Sequence, residues 1–90
     1  MFDKKILGQR LLKLREAKKI SQTAVADLLG VTRTQVSDIE NGKSGTSLER
    51  FYQLCEHYKV SADYLLGFTD DPAWRGKYGS RLMGELSRSA

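Results

Sequence analysis

Apolar residues along the first two-thirds of the chain recur at intervals of three and four positions. This spacing places them on one face of an α-helix. Serine or threonine precedes four of these runs, and such residues accept hydrogen bonds from the free backbone N–H groups at the start of a helix. No segment shows the alternation of apolar and polar residues expected of a strand. The pattern therefore predicts an all-α fold with short connections.

Five helices follow from this pattern. They are predicted at residues 3–17, 22–29, 33–40, 48–58 and 62–66. The predicted N-caps of the last four helices are Ser21, Thr32, Ser47 and Ser61. Gly30, Gly67 and the pair Asn41-Gly42 are expected to end helices, because these residues tolerate the left-handed conformation.

The same stripes predict the hydrophobic core. Its expected members are Leu7, Leu11, Leu14, Val25, Leu28, Leu29, Val31, Val36, Ile39, Leu48, Phe51, Leu54, Cys55, Tyr64 and Leu65. On the fourth helix, Tyr52 and Tyr58 extend the apolar stripe. Ala26 is small enough to lie where two helices cross closely.

Residues 22–41 have the layout of a helix-turn-helix. Val25 and Leu29 share one face of the first helix, and Val36 and Ile39 share one face of the second. Gly30 lies where the chain must turn sharply. In a motif of this kind the second helix can enter the major groove of DNA.

Charge and composition narrow the class of protein. The net charge is +4, and residues 1–60 carry eleven Lys or Arg against seven Asp or Glu, whereas residues 61–90 carry four of each. A positive field around the helix-turn-helix suits a phosphate backbone, although a charge of this size alone is weak evidence. One cysteine, Cys55, and one histidine, His57, favour neither a disulfide nor a metal site. We expect no cofactor and no enzymatic activity, because the chain has no nucleophile–base pair and no glycine-rich phosphate loop.

Five segments in order carry a family resemblance. They are Leu11–Ala17, Ser21-Gln22, Leu29–Val31 preceded by Ala26, Val36–Lys43 and Val60–Gly67. With them, residues 7–67 resemble the Cro/C1-type helix-turn-helix family, also called lambda-repressor-like or XRE. The resemblance implies a compact five-helix DNA-binding domain, which we place at residues 3–67. It also implies a transcriptional repressor of phage type that binds a palindromic operator as a homodimer.

The third helix would be the recognition helix in such a domain. The predicted base-reading residues are Arg33, Thr34, Gln35, Ser37 and Asp38. Arg33 can donate two hydrogen bonds to guanine, and Gln35 can recognise adenine. The family often has Gln at its base-reading positions, so this sequence implies a different half-site. Alternatively, each residue is simply an exposed polar side chain, and Asp38 orients Arg33 or is solvated.

Other residues are expected to contact phosphates or to support the fold. The predicted phosphate contacts are Gln22, Thr32, Asn41, Lys43 and Ser44. Asn41 is alternatively a helix C-cap. The resemblance implies a structural ion pair between Arg15 and Glu40. We interpret the remaining lysines of the first helix and its exit as solvated surface charges, namely Lys4, Lys5, Lys13, Lys18 and Lys19.

Residues 68–90 form a separate C-terminal tail. Asp71-Pro72 favours a helix start, and an amphipathic helix at residues 72–87 would carry an apolar stripe of Trp74, Tyr78, Leu82, Met83 and Leu86. Three glycines within this range oppose helix formation, so a disordered tail is the alternative. The stripe would pack against its own domain, a second protomer or another protein. This gives an alternative function, an antitoxin-like or antirepressor-target interaction module.

The chain has no apolar run long enough to span a membrane and no signal-peptide pattern at its N-terminus. We therefore expect a cytoplasmic protein of a bacterial or phage-infected cell, associated with the nucleoid and without membrane contact.

Overall fold

A computed structural model describes residues 1–74, which form five α-helices joined by short loops. The helices are α1 (Lys4–Ala17), α2 (Gln22–Leu29), α3 (Arg33–Glu40), α4 (Leu48–Tyr58) and α5 (Ala62–Leu66). Residues 1–74 contain no strand. The predicted all-α, five-helix fold is confirmed. None of the helices in this part of the chain is long and apolar enough to cross a membrane.

Each helix begins with a side chain that accepts a hydrogen bond from its first turn. The four predicted caps, Ser21, Thr32, Ser47 and Ser61, each accept from the backbone N–H three residues ahead, at 3.0–3.2 Å. Asp3 caps α1, with Oδ1 at 2.8 Å from the backbone N of Lys5. The first helix therefore begins one residue later than predicted. A cap of this kind stabilises a helix by about 1 kcal/mol.

The core lies between α1, the α2–α3 pair and the α4–α5 pair. Its buried apolar members are Leu7, Leu11, Val25, Ala26, Leu29, Val36, Ile39, Leu54, Cys55, Tyr58, Val60 and Leu65. Four residues predicted for the core, Leu14, Val31, Phe51 and Tyr64, are partly buried against this cluster. Tyr58 and Val60 are buried although they were not among the predicted core residues.

Two predicted core residues, Leu28 and Leu48, are exposed, and so is Tyr52 of the predicted α4 stripe. Leu28 is 43% exposed, because Val25, Ala26 and Leu29 already form the inward face of α2. Leu48 is 83% exposed and Tyr52 is 62% exposed. The inward face of α4 is instead formed by residues nearer its end, so Leu48 and Tyr52 lie on the flank of this helix.

α1 crosses the C-terminal end of α3 at very short range. A Cβ on Gly8 would lie 2.6 Å from the carbonyl oxygen of Glu40 and closer still to that of Ile39. Any larger residue at this position would overlap the α3 backbone. The absence of a Cβ at Gly8 therefore allows α1 to pack this closely against the end of α3.

The five residues after α5 and its capping glycine fold back onto the helices, and we call residues 68–72 the strap. Arg10 on α1 donates to the carbonyl oxygens of Tyr64 and Thr69, the latter at 2.6 Å. Its guanidinium lies 4.2 Å from the centre of the Tyr64 ring. At the other end of the strap, the backbone N–H of Ser61 donates to the carbonyl of Pro72 at 3.2 Å.

The predicted tail helix is largely beyond the part of the chain that the structure describes. Residues 72–74 are not helical, and Trp74 is 40% exposed. The side chain of Asp71 accepts a hydrogen bond from the backbone N–H of Ala73 at 3.0 Å. The other residues of the predicted stripe, Tyr78, Leu82, Met83 and Leu86, lie outside the described residues.

Candidate nucleic-acid interface

The turn between α2 and α3 is formed by local hydrogen bonds. Gly30 adopts φ +69°, and its neighbour Val31 donates from its backbone N–H to the carbonyl of Ala26 at 3.0 Å. A positive φ is strained for residues with a Cβ, which explains glycine at this position. Buried residues of both helices then hold α2 and α3 together. The stretch expected to form a helix-turn-helix does so.

α3 has one buried and one solvent-facing side. Val36, Ile39 and Glu40 are buried, whereas the side chains expected to read bases face outward. Arg33, Thr34 and Gln35 are exposed, and Ser37 and Asp38 are half-buried. The structure therefore places three of the five predicted base-reading residues on the solvent side of α3 and the other two at its half-buried flank.

One of the predicted base readers, Gln35, has a defined local role. Gln35 accepts a hydrogen bond from the backbone N–H of Thr32 at 2.9 Å through Oε1, while the Thr32 hydroxyl accepts from the backbone of Gln35. This reciprocal capping box uses the amide oxygen of Gln35, so the NH₂ group of the same amide stays available as a donor. Among residues 1–74, Arg33 and Asp38 form no ion pair with each other, so the alternative in which Asp38 orients Arg33 is not seen.

The residues predicted to contact phosphates surround the ends of α3. Gln22 at the start of α2 donates from Nε2 to Glu40 Oε1 at 3.0 Å. Asn41 donates from Nδ2 to the Ser37 hydroxyl at 3.2 Å. Lys43 and Ser44 are exposed, and their backbone N–H groups both point to the carbonyl of Asp38, at 2.9 and 3.4 Å.

A charged network anchors the C-terminal end of α3 to α1. Arg15 donates from Nε to Glu40 Oε2 at 2.7 Å and from Nη2 to Oε1 at 3.1 Å. Its Nη1 donates to the carbonyl of Ile20 at 2.9 Å. The structure thus brings together the pair expected from the resemblance, with the Glu40 side chain only 4% exposed. Hydrogen bonding to Glu40 raises the pKa of Arg15 above its usual value.

Two features of this region were not expected from the sequence. Gln22 bonds to Glu40, which joins a residue predicted to contact phosphate to the ion pair. Gly8 lies at the crossing of α1 and α3. A glycine inside a predicted helix lowers helix stability relative to alanine. Its presence there therefore indicates close packing, which a Cβ would prevent.

The fold and the exposed face of α3 define a helix-turn-helix domain. A family model described as helix-turn-helix, HTH_3, matches residues 11–65. The chain belongs to this family, which confirms the family inferred from the sequence. It is a family of DNA-binding regulators and not of enzymes.

Relatives and solved structures agree with this assignment. The HTH-type transcriptional regulator YobD of Bacillus subtilis is 36% identical over 64 residues, which cover 71% of this chain and 57% of YobD. The restriction-modification controller protein C.AhdI from Aeromonas hydrophila is 35% identical with a TM-score of 0.62, over 70% of this chain and 96% of C.AhdI. The P22 c2 repressor, crystallised with a synthetic operator, is 30% identical with a TM-score of 0.63, over 67% and 91%. The chain spans a little over half the length of curated relatives such as YobD.

Proposed function

We propose that the chain is a sequence-specific DNA-binding transcriptional regulator of the phage-repressor type, acting in the bacterial cytoplasm at the nucleoid. Its recognition helix α3 would enter the major groove of a palindromic operator. The observation that carries this proposal is the outward row of Arg33, Thr34 and Gln35 on a helix whose opposite side is buried. The similarity to the P22 c2 repressor, a protein crystallised with a synthetic operator, supports the same conclusion.

Base recognition would begin at the first turn of α3. The Arg33 guanidinium is exposed and can form a bidentate contact with guanine O6 and N7, which contributes about 1–3 kcal/mol of discrimination. The capping box holds the Gln35 side chain in place while leaving its amide donors for adenine N7 or another acceptor. Thr34, Ser37 and Asp38 would complete the contact surface.

The two amide side chains can contact phosphates without giving up their internal hydrogen bonds. A carboxamide NH₂ group has two donors. Gln22 uses one of them on Glu40 and Asn41 uses one on Ser37, so each keeps one for a phosphate oxygen. Thr32, Lys43 and Ser44 are exposed beside them. Contacts of this kind fix the register of the protein on DNA and make binding sensitive to salt.

The proposal includes a homodimer. One domain presents a single recognition helix of eight residues, and a two-fold dimer on a palindrome doubles the contacts. In the proposed arrangement the stripe from Trp74 to Leu86 supplies the contact between protomers. The same stripe would bind a different protein if the chain were an antitoxin-like or antirepressor-target module.

The test of base recognition is a pair of substitutions at Arg33. Binding sites are first selected from random DNA with the full chain, and Arg33→Ala and Arg33→Lys are then compared with the unmodified protein. Arg33→Lys keeps the charge but loses the bidentate geometry. We expect both variants to keep the fold and to lose roughly 10- to 100-fold in preference for the best site over a scrambled duplex.

Three outcomes of this test are informative. Unchanged preference in both variants would show that α3 does not read bases through Arg33. A symmetric selected site would support the homodimer. No enrichment of any sequence by the unmodified chain would contradict the regulator and favour the interaction module.

A further inference from the structure

The start of α1 lies directly against the exit from α3. A Cβ on Gly42 would be 3.0 Å from both Cα and Cγ of Lys5. Gly42 immediately follows Asn41 and precedes Lys43, the two exit residues that we propose as phosphate contacts. Lys5 and Lys43 are therefore neighbours in space, although they are distant in sequence.

The lysines at this junction have no acidic partners among the described residues. Lys4, Lys5 and Lys43 are exposed, and the ion pairs formed within residues 1–74 are Arg10–Asp70 and Arg15–Glu40. The adjacent acid is Asp3, whose Oδ1 accepts the backbone N–H of Lys5 and caps α1. This junction therefore carries three exposed lysines, and its one carboxylate is already bound to the backbone at the start of α1.

The surface around the start of α1 is concave. An open depression of about 370 Å³ lies beside the contact between Lys5 and Gly42. It is lined by Met1, Phe2, Asp3, Lys4, Lys5 and Gly42. Phe2 is 50% exposed. A nucleic-acid backbone suits such a surface, because its phosphates pair with ammonium groups while its sugars contact apolar side chains.

From this juxtaposition we infer that Lys4 and Lys5 form one phosphate-binding surface with Lys43, continuing the contact of the α3 exit onto α1. The inference rests on the proposed function and extends the DNA contact beyond the helix-turn-helix itself. It changes the interpretation of Lys4 and Lys5 as solvated charges. That interpretation came from helix spacing, which carries no information about the contact with Gly42.

The test uses the salt dependence of binding. The full chain and its Lys5→Gln and Lys4→Gln/Lys5→Gln variants are titrated with a labelled duplex carrying the selected site and with a scrambled duplex of equal length, at several salt concentrations. Each phosphate contact contributes about 0.9 to the slope of log K against log salt. We expect the slope to fall by about 0.9 for Lys5→Gln and by about twice that for the double variant, equally on both duplexes.

Lys13→Gln is the matched control, because Lys13 is also an exposed lysine of α1. It lies two turns beyond Lys5 and away from Gly42. A Lys5→Gln slope equal to that of Lys13→Gln, with the unmodified chain still binding DNA and Arg33→Ala still losing site preference, would overturn this inference and leave the proposed function intact. Absence of DNA binding by the unmodified chain would overturn both. Equal thermal unfolding of all variants is expected, since the substituted side chains are exposed.

Discussion

Glu40 is the residue through which the position of the recognition helix is fixed. Its carboxylate is nearly buried and accepts hydrogen bonds from two nitrogens of Arg15 and from the amide of Gln22. Removing a charged pair from water is costly, and good geometry with additional hydrogen bonds is needed to offset that cost. The three donors around Glu40 meet this condition, so the pair orients α3 even if its net contribution to stability is small.

Loss of one partner of this pair should be strongly destabilising. We expect Glu40→Gln to lower the free energy of unfolding by about 3 kcal/mol, because Arg15, whose side chain is 14% exposed, is left without a counter-charge. Urea denaturation followed by circular dichroism measures the change.

The double variant Arg15→Met/Glu40→Leu is the matched comparison for this prediction. It removes both charges, so most of the lost stability should return. If the free energy of unfolding of Glu40→Gln lay within about 0.5 kcal/mol of that of the unmodified chain, breaking the ion pair would not be strongly destabilising, and the prediction would be wrong.

At the scale of helices, the contact between α1 and α3 is the one that most constrains the interface. Gly8 abuts the last carbonyls of α3, and Lys5 abuts Gly42 just beyond them. The C-terminal end of the recognition helix therefore packs along α1, which holds it in place. A change at this crossing would displace α3 without touching any residue of its exposed face.

Gly8→Ala tests this crossing. Alanine is favoured over glycine in a helix by about 1 kcal/mol, but its Cβ would overlap the backbone of Glu40 and Ile39. We expect the overlap to dominate and to lower the free energy of unfolding by about 2 kcal/mol or more. Thermal and urea denaturation provide the measurement.

Gly45→Ala is the control for Gly8→Ala. A Cβ on Gly45 would meet nothing within 4 Å, so this substitution should leave stability unchanged or slightly raised. Equal effects at the two positions would argue against a steric role for Gly8.

The helix boundaries were predictable because their signals are local. Ser21, Thr32 and Ser47 lie three residues before the N–H groups that they accept from, and that relation is visible in sequence. The outward placement of Arg33 and Thr34 follows in the same way from the period of α3. Contacts between separate helices leave no comparable local pattern in the sequence. The exposure of Leu48, the bond from Gln22 to Glu40, and the contact of Lys5 with Gly42 depend on where separate helices meet.

At the scale of the molecule, the folded unit continues past the capping glycine of α5. Arg10 binds the carbonyls of Tyr64 and Thr69, and Ser61 binds Pro72, so the strap is attached at both ends. The ion pair of Arg10 with Asp70 adds little, because the Asp70 side chain is 99% exposed. The strap therefore fixes the position of the chain up to Pro72.

Truncation tests how much the strap contributes to the stability of the domain. We expect a chain ending at Gly67 to be less stable by about 1–2 kcal/mol than a chain ending at Trp74. The shorter chain leaves the partly buried Arg10 guanidinium without Thr69 and leaves Ser61 without Pro72. Urea denaturation of both truncations measures the difference. Equal stability of the two would indicate that the strap adds nothing to the folded unit.

Cys55, the only cysteine of the chain, can report on the opening of the folded domain through the reactivity of its thiol. It is 7% exposed, and burial raises the pKa of its thiol to about 11. Since the thiolate is the reactive form, alkylation at neutral pH requires the region around α4 to open. The alkylation rate therefore measures the opening free energy under native conditions. A ligand that binds only the folded domain slows alkylation by the factor 1 + [L]/Kd, so occupancy can be followed without a label at the interface.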